Sequence, residues 1–204
     1  MEKPKKRISV LVSGGGSNLQ TIIDRIADGT IPKAEIVQVI SSREGVHALR
    51  RAEQAGIPAI VISSKEFPDP NQKARALQSA LEKAEPDLIV LAGYMSILHP
   101  DITRKFARRI INIHPSLIPK YCGKGFYGER VHKAVLAGGE QITGATVHFV
   151  DEGVDTGEII MQRAIAVDGS DDAGTLAAKV LTIEHQLLPE ALAMLLTKEK
   201  EEKI

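Results

Sequence analysis

"RISVLVSGGGSNLQ" (7–20) decides the fold. Its first part is a short apolar run, read as a buried strand over 7–15, and three glycines close it. A helix is expected from about Asn18, because Leu19, Ile22, Ile23 and Ile26 recur at spacings of three and four. The alternation then repeats. Strands are expected at "AEIVQVISS" (34–42), "PAIVIS" (58–63), "DLIVLAGY" (87–94) and "RRIINIH" (108–114). Helices are expected between them at 47–56, where Gly56 stops the turn, at about 71–84 with Leu77 and Leu81 inward, and at about 100–107.

Nearly continuous apolar strands between amphipathic helices imply a parallel sheet covered on both faces. Beyond residue 140 the pattern changes. "TGATVHFV" (143–150) and "GEIIMQRAIAV" (157–167) lie close enough in sequence to pair antiparallel across the loop "DEGVDT". A last helix is expected from about Thr175, carrying Leu176, Val180, Ile183 and Leu187, with Pro189 kinking or dividing it. The fold class is therefore α/β: a Rossmann-like, mostly parallel sheet with helices on both faces and a C-terminal antiparallel hairpin extension.

Ligands of such sheets gather beyond the carboxyl ends of the strands. That singles out "SGGGSN", "AGYMSIL", "NIHPS" and "DEGVDTG", which the fold is expected to bring to one edge. The glycines of "VSGGGSNLQ" (12–20) allow close backbone approach, and the free N–H groups of a helix start favour a phosphate. The stretch is neither a dinucleotide fingerprint, since Leu19 stands where a third glycine belongs, nor a P-loop, since no Gly-Lys-Ser/Thr follows. A plain turn with Ser17 or Asn18 as helix cap remains open beside the phosphate reading.

In "INIHPS" (111–116), Asn112 and His114 lie two apart on a strand and share one face, while Ile111 and Ile113 share the other. An amide and an imidazole at a strand end suit a developing oxyanion, and the imidazole also moves protons near neutral pH. A polar strand end facing solvent fits the same pattern. The loop 151–157 offers Asp151, Glu152 and Asp155; a carboxylate near His114 is expected to raise its pKa and hold it protonated. The loop equally fits an acidic hairpin turn. His148 shares a strand face with Thr146, in a direct or a supporting role. Cys122 has no neighbouring base in sequence, His47, His99 and His132 carry no signal, and no paired His or Cys spacing points to a metal.

The 204 residues suit one large domain, and 43% apolar content fits a soluble globular protein. No run reaches the length of a membrane span, and the basic N-terminus leads into a strand without a cleavage site, which argues against a signal peptide. One cysteine fits a reducing cytoplasm. With 26 basic and 26 acidic residues, no Trp and few aromatics, nucleic acid is not an expected partner. The charged ends "KPKKR" (3–7) and "KEKEEK" (198–203) read as solvated.

Taken together, "SGGGSNLQ", "LAGYMSIL", "NIHPSLIPKYCGKG", "GATVHFVDEGVDTG" and "EHQLLP" closely resemble the glycinamide ribonucleotide formyltransferases, folate-dependent enzymes of purine synthesis. The resemblance runs from residue 8 to about 190. It implies one formyltransferase domain over 1–204, with a phosphate-binding half to about 110 and a catalytic and folate-binding half from about 111. It implies Asn112, His114 and Asp155 as catalytic residues, and Gly16, Ser17, Asn18 and Glu184 as holding the ribonucleotide. Met95, Ser96, Ile97 and Leu98, with Asn112 and the loop Asp151, Glu152, Gly153, Val154 and Asp155, are implied to receive the folate.

The implied co-substrate is 10-formyltetrahydrofolate, without a metal. The implied partners are glycinamide ribonucleotide and folate, with no nucleic acid or membrane, in a cytoplasmic monomer or homodimer. The chain departs from the family where an Arg that helps bind folate is often found: Pro70 stands there, with Lys73 or Arg75 as substitutes. The tract "GKGFYGERVHKAV" (123–135) resembles a variant within the family. The rival readings are a formyltetrahydrofolate hydrolase, a nucleotide-sugar formyltransferase and a non-catalytic phosphate- or nucleotide-binding module.

Overall fold

The computed structural model describes residues 4–197; residues 1–3 and the charged tail 198–204, part of the ends read as solvated, lie outside the described residues. Seven strands, β1 (Lys6–Val12), β2 (Ala34–Ser41), β3 (Ala59–Val61), β4 (Leu88–Leu91), β5 (Ile110–His114), β6 (Ile142–Phe149) and β7 (Ile159–Ala166), follow the order β3-β2-β1-β4-β5-β6-β7. The helices are α1 (Ser17–Ala27), α2 (His47–Gln54), α3 (Pro70–Ala84), α4 (Pro100–Lys105), α5 (Glu129–Ala137) and α6 (Ala173–Thr197). This is the expected mixed α/β sheet. The chain forms two compact units, one running up to Ser96 and resuming at Leu188, the other Ile97–Leu187.

In the first unit β1 pairs in parallel with β2 and with β4, and β2 with β3. Val10, Leu11, Val39, Ile40, Ile89 and Val90 are fully buried, which is why these strands read as unbroken apolar runs. Leu19 and Ile22 of α1 and Leu81 of α3 are fully buried too, at about 1.5–3 kcal/mol for each such side chain. Asp69 caps α3 by accepting from the Asn71 N–H, with Pro70 at the first helical position, where its missing N–H costs nothing.

In the second unit β6 runs antiparallel to both β5 and β7, so the hairpin extension is present. Its register sets Asn112 opposite His148 and His114 opposite Thr146. The pairing of β6 with β7 shifts register between Val147 and His148.

Several boundaries differ from the sequence reading. β1 stops at Val12 and β4 at Leu91, because Gly16 and Gly93 turn the chain at φ 74° and 72° shortly after each strand. Arg108 at φ 57° delays β5 until Ile110. Helix α5 was not foreseen. Its apolar residues make a short pattern, yet Val131 and Val135, four apart, bury against Leu176, with Tyr121 and Phe126 packed on the cluster. Of the kink or division expected at Pro189, the division is absent: α6 runs through it as one helix. A helical proline costs about 3 kcal/mol. Full burial of Leu187, Leu188, Ala191 and Leu192 around it outweighs that loss.

Candidate active site

The end of β5 carries a polar cluster in the second unit. His114 is 4% exposed, and both its ring nitrogens face oxygen atoms. Nε2 lies 3.0 Å from the Tyr121 carbonyl, and Nδ1 lies 3.5 Å from Asp155 Oδ2. A carbonyl only accepts, so Nε2 carries a proton, and Nδ1 is left toward the carboxylate. Only the imidazolium can donate to both.

Burial opposes that charge and dominates, drawing the His114 pKa below its ordinary value; the Asp155 carboxylate and the Tyr121 carbonyl pull it upward without cancelling the effect, and His148 adds to the lowering. The upward pull expected of Asp155 is present, with burial acting against it. The carboxylate is in place, but desolvation is stronger. Asp155 itself would be raised by burial, yet the hydrogen bond with His148, the His114 charge and the Gly123 N–H outweigh it and hold the carboxyl below its ordinary value.

Asp155 sits at φ 57°, a left-handed conformation rare for a side chain with a Cβ. Its loop holds it there. Asp151 accepts from the Gly153 N–H at 3.0 Å and the Thr156 hydroxyl at 2.6 Å, closing the turn on itself. A Cβ on Gly153 would collide with the Thr156 side chain, and one on Gly157 with the Phe149 carbonyl. Glu152 pairs with Arg104 at 3.0 Å. Of the three loop carboxylates, therefore, Asp155 alone reaches His114. The Gly123 N–H donates to its Oδ2 at 2.9 Å.

His148 belongs to this cluster more fully than its sequence position indicated. Its Nδ1 donates to the Phe149 carbonyl at 2.8 Å, and its Nε2 lies 3.2 Å from Asn112 Nδ2 and 3.6 Å from Asp155 Oδ1. Asn112 Nδ2 also reaches Asp155 Oδ1 at the longer distance of 3.5 Å. The period of two along "ATVHFV" placed His148 on a face. What it lacked was the pairing of β6 with β5, which sets that face against Asn112. The Tyr121 carbonyl and Gly123 N–H were missed altogether, since backbone groups leave no mark in a residue pattern.

The glycine turn lies in the first unit. Neither Ser17 nor Asn18 caps α1: the cap position is Gly16, and no side chain caps the helix or places an acid in its first turn. The first N–H groups of a helix lack carbonyl partners in its own ladder, and the positive end of the helix favours an anion. Gly16 is required twice over, by its φ of 74° and because a Cβ would stand 2.6 Å from that of Ala48. The Gly14 carbonyl accepts from the Ala48 N–H at 3.1 Å, and the Gly15 carbonyl from Arg51 at 3.0 Å. Both carbonyls are thereby tied to α2.

Met95 and Ile97, 42% and 68% exposed, are not core residues, whereas Leu98 is buried. Tyr94, just before them, has its hydroxyl pKa pushed up to about 12 by burial. In the first unit a cavity of about 380 Å³ is lined by Ser42, Arg43, Ser63, Ser64, Lys65, Met95 and Ser96, among others. Lys73 donates to Ser64 at 3.1 Å and Ser96 at 3.2 Å, and among the described residues no carboxylate pairs with it. Glu184 is buried within α6.

Burial and then the Asp155 charge raise the Cys122 thiol pKa, the reverse of an activated nucleophile. His99 caps α4, and His132 is buried in α5. Among the described residues no group of three or more His, Cys, Asp or Glu is placed to hold a metal ion, and no helix is long and apolar enough to cross a membrane.

The formyl transferase family model matches residues 6–192. The trifunctional purine biosynthetic protein adenosine-3 of Drosophila pseudoobscura pseudoobscura is 47% identical over 96% of this chain, which spans 14% of that protein. The chloroplastic phosphoribosylglycinamide formyltransferase of Vigna unguiculata is 39% identical over 94% of the chain, which spans 61% of it. The glycinamide ribonucleotide transformylase 1 structure from Symbiobacterium toebii superposes with a TM-score of 0.88 at 38% identity, covering 94% of this chain and 88% of that one. The phosphoribosylglycinamide formyltransferase structure from Brucella melitensis does so at 0.86 and 37%, covering 98% and 100%. The chain thus belongs to the formyl transferase family, in its phosphoribosylglycinamide formyltransferase branch.

Proposed function

We propose that this chain transfers the formyl group of 10-formyltetrahydrofolate to the amine of glycinamide ribonucleotide, a step of purine synthesis. The observation that carries this reading is the cluster of part-buried Asn112 and Asp155 around buried His114 in a chain of this branch. The substrate amine attacks the formyl carbon, a tetrahedral intermediate forms, and the bond from that carbon to the folate nitrogen breaks. The amine loses a proton and the departing folate nitrogen gains one.

Asn112 and His114 supply donors to the oxygen of the intermediate. The Asn112 N–H that makes the long 3.5 Å contact to Asp155 is the one released to it. Burial disfavours the charged His114 ring, and a negative oxygen developing beside it favours that charge. Its protonation then stabilises the transition state more than the ground state, which is what accelerates a reaction. A buried imidazolium of lowered pKa is also a ready acid toward the departing nitrogen. Asp155 favours that charged ring and, through water, assists the proton's passage.

Gly16, Ser17 and Asn18 take the ribonucleotide phosphate at the start of α1, where no acid stands in the first turn, and Glu184 contacts the same substrate. Met95 to Leu98 and the loop Asp151 to Asp155 receive the folate. Lys73, held by Ser64 and Ser96, stands in for the Arg absent at Pro70, while exposed Arg75 makes no such approach.

The test is folate turnover by the purified protein with and without glycinamide ribonucleotide. Turnover that requires the ribonucleotide is expected. Turnover without it would assign water as acceptor, and none with either would return the chain to another acceptor or to simple binding.

A further inference from the structure

The carbonyl that fixes the His114 ring belongs to Tyr121, which sits at φ 52°, a left-handed conformation unfavourable to a residue with a Cβ. Such a conformation persists where the surroundings over-determine it. Four contacts do so. The Tyr121 hydroxyl donates to Glu140 Oε1 at 3.0 Å. Lys120 donates to both oxygens of the same carboxylate, at 2.9 and 3.1 Å. The Tyr121 ring packs edge-on against Phe126 at 6.2 Å, and Ser116 donates to the Lys120 carbonyl at 2.7 Å.

Gly138 completes the arrangement: its φ of −77° suits any residue, but a Cβ there would collide with the Tyr121 hydroxyl. The missing methyl is the space that the hydroxyl occupies. Two residues after Tyr121, the Gly123 N–H holds Asp155. One short stretch thus grips His114 through a carbonyl and Asp155 through an N–H, and its grip is anchored on Glu140.

We propose that Glu140, acting through Lys120 and Tyr121, is a positioning residue for His114: it sets the backbone carbonyl that fixes which ring nitrogen carries the proton. The inference rests on His114 being the reacting imidazole, as the proposed function has it. Glu140 lies in the turn between α5 and β6 and touches neither His114 nor Asp155 in any contact described above.

The test compares Glu140→Ala, Glu140→Gln and Tyr121→Phe with the wild type by steady-state kinetics and by 15N NMR of the His114 ring. Glu140→Ala and Tyr121→Phe are expected to lower kcat roughly 10-fold, as small misplacements of a reacting group do, with both KM values unchanged. Their His114 spectra are expected to lose the preference for Nε2–H. Glu140→Gln keeps an oxygen for the Tyr121 hydroxyl and is expected to stay near wild type. A lowered Tm in Glu140→Ala with kcat and the Nε2–H signal both retained would reduce Glu140 to a structural role and overturn the proposal. If the wild type transfers no formyl group to the ribonucleotide, the reaction reading falls, and the ring spectra alone decide the clamp.

Discussion

The turn after β1 and the turn after β5 use the end of a strand in opposite ways. The first works with backbone: an uncapped helix start, a glycine at φ 74°, and two carbonyls tied to α2. The second works with side chains, buried His114 and part-buried Asp155, whose charges are decided by a contest between desolvation and pairing. A backbone site tolerates changes of side-chain chemistry but not of shape. A side-chain site tolerates small changes of shape far better than the loss of one titrating group. Substitutions at the two turns should therefore fail differently, and that contrast can be broken by experiment.

The largest effect is expected at the second turn. His114→Ala and Asp155→Asn should each lower kcat about 10²–10³-fold, the usual consequence of losing one group that meets a developing oxyanion, with Tm little changed. Near-normal turnover in either variant would remove that residue from the chemistry. The direction of titration gives a second handle. Because the Asp155 charge pulls the His114 pKa upward, Asp155→Asn should leave it lower still, as read by NMR titration.

Stability follows the same signs. A histidine whose folded pKa lies below its unfolded value of about 6.5 leaves stability intact above that pH, and stability erodes as the pH falls through it, because the unfolded chain takes up the proton first. The depressed Asp155 carboxyl contributes stability above the ordinary 3.8, lost as the pH falls through its folded value. His114→Ala should flatten the first of these phases in a series of thermal melts. An unaltered melting profile between pH 5 and 7, taken here as a rough window around the histidine value, would locate that phase in another histidine.

At the first turn shape should dominate. Gly16→Ala forces a Cβ to within 2.6 Å of Ala48 at a left-handed φ, and a loss of roughly 1–3 kcal/mol is expected in denaturant titration. Asn18→Ala leaves the glycine backbone alone. It should raise the KM for the ribonucleotide while kcat holds, and an unchanged KM would detach Asn18 from the phosphate.

The contrast also explains what could be read in advance. The strands of the parallel sheet were legible because burial on both faces makes each a plain apolar run, and Asn112 with His114 because a period of two fixes a shared face. Asp155 was legible as one of three carboxylates; its selection over Asp151 and Glu152 came only from the loop geometry, which commits Asp151 to Gly153 and Thr156, and Glu152 to Arg104. Helix α5 was hidden because two buried valines in nine residues make too short a pattern. The desolvation of His114 was hidden for a related reason. A sequence reveals a charged neighbour, but desolvation is a property of everything packed around the ring, and here it is the larger effect.

The smallest expected effect concerns a residue that belongs to neither turn. Lys73 is an ammonium held by two serine hydroxyls, with burial lowering its pKa. Ser64 and Ser96, its partners, line the same cavity as Arg43 and Lys65, and Glu44, also on that wall, already pairs with Lys65 at 3.1 Å. The wall thus keeps a surplus of positive charge, which suits the carboxylates of a folate's glutamyl tail. Lys73→Ala should raise the KM for the formyl donor roughly three- to fivefold, the yield of a part-exposed ion pair worth just under 1 kcal/mol, and leave kcat and the ribonucleotide KM alone. The rise should shrink with added salt, which screens such a pair, and grow with a donor carrying more glutamyl carboxylates. An equal KM for short and long tails in wild type and variant would place the tail elsewhere and leave Pro70 a departure without a substitute.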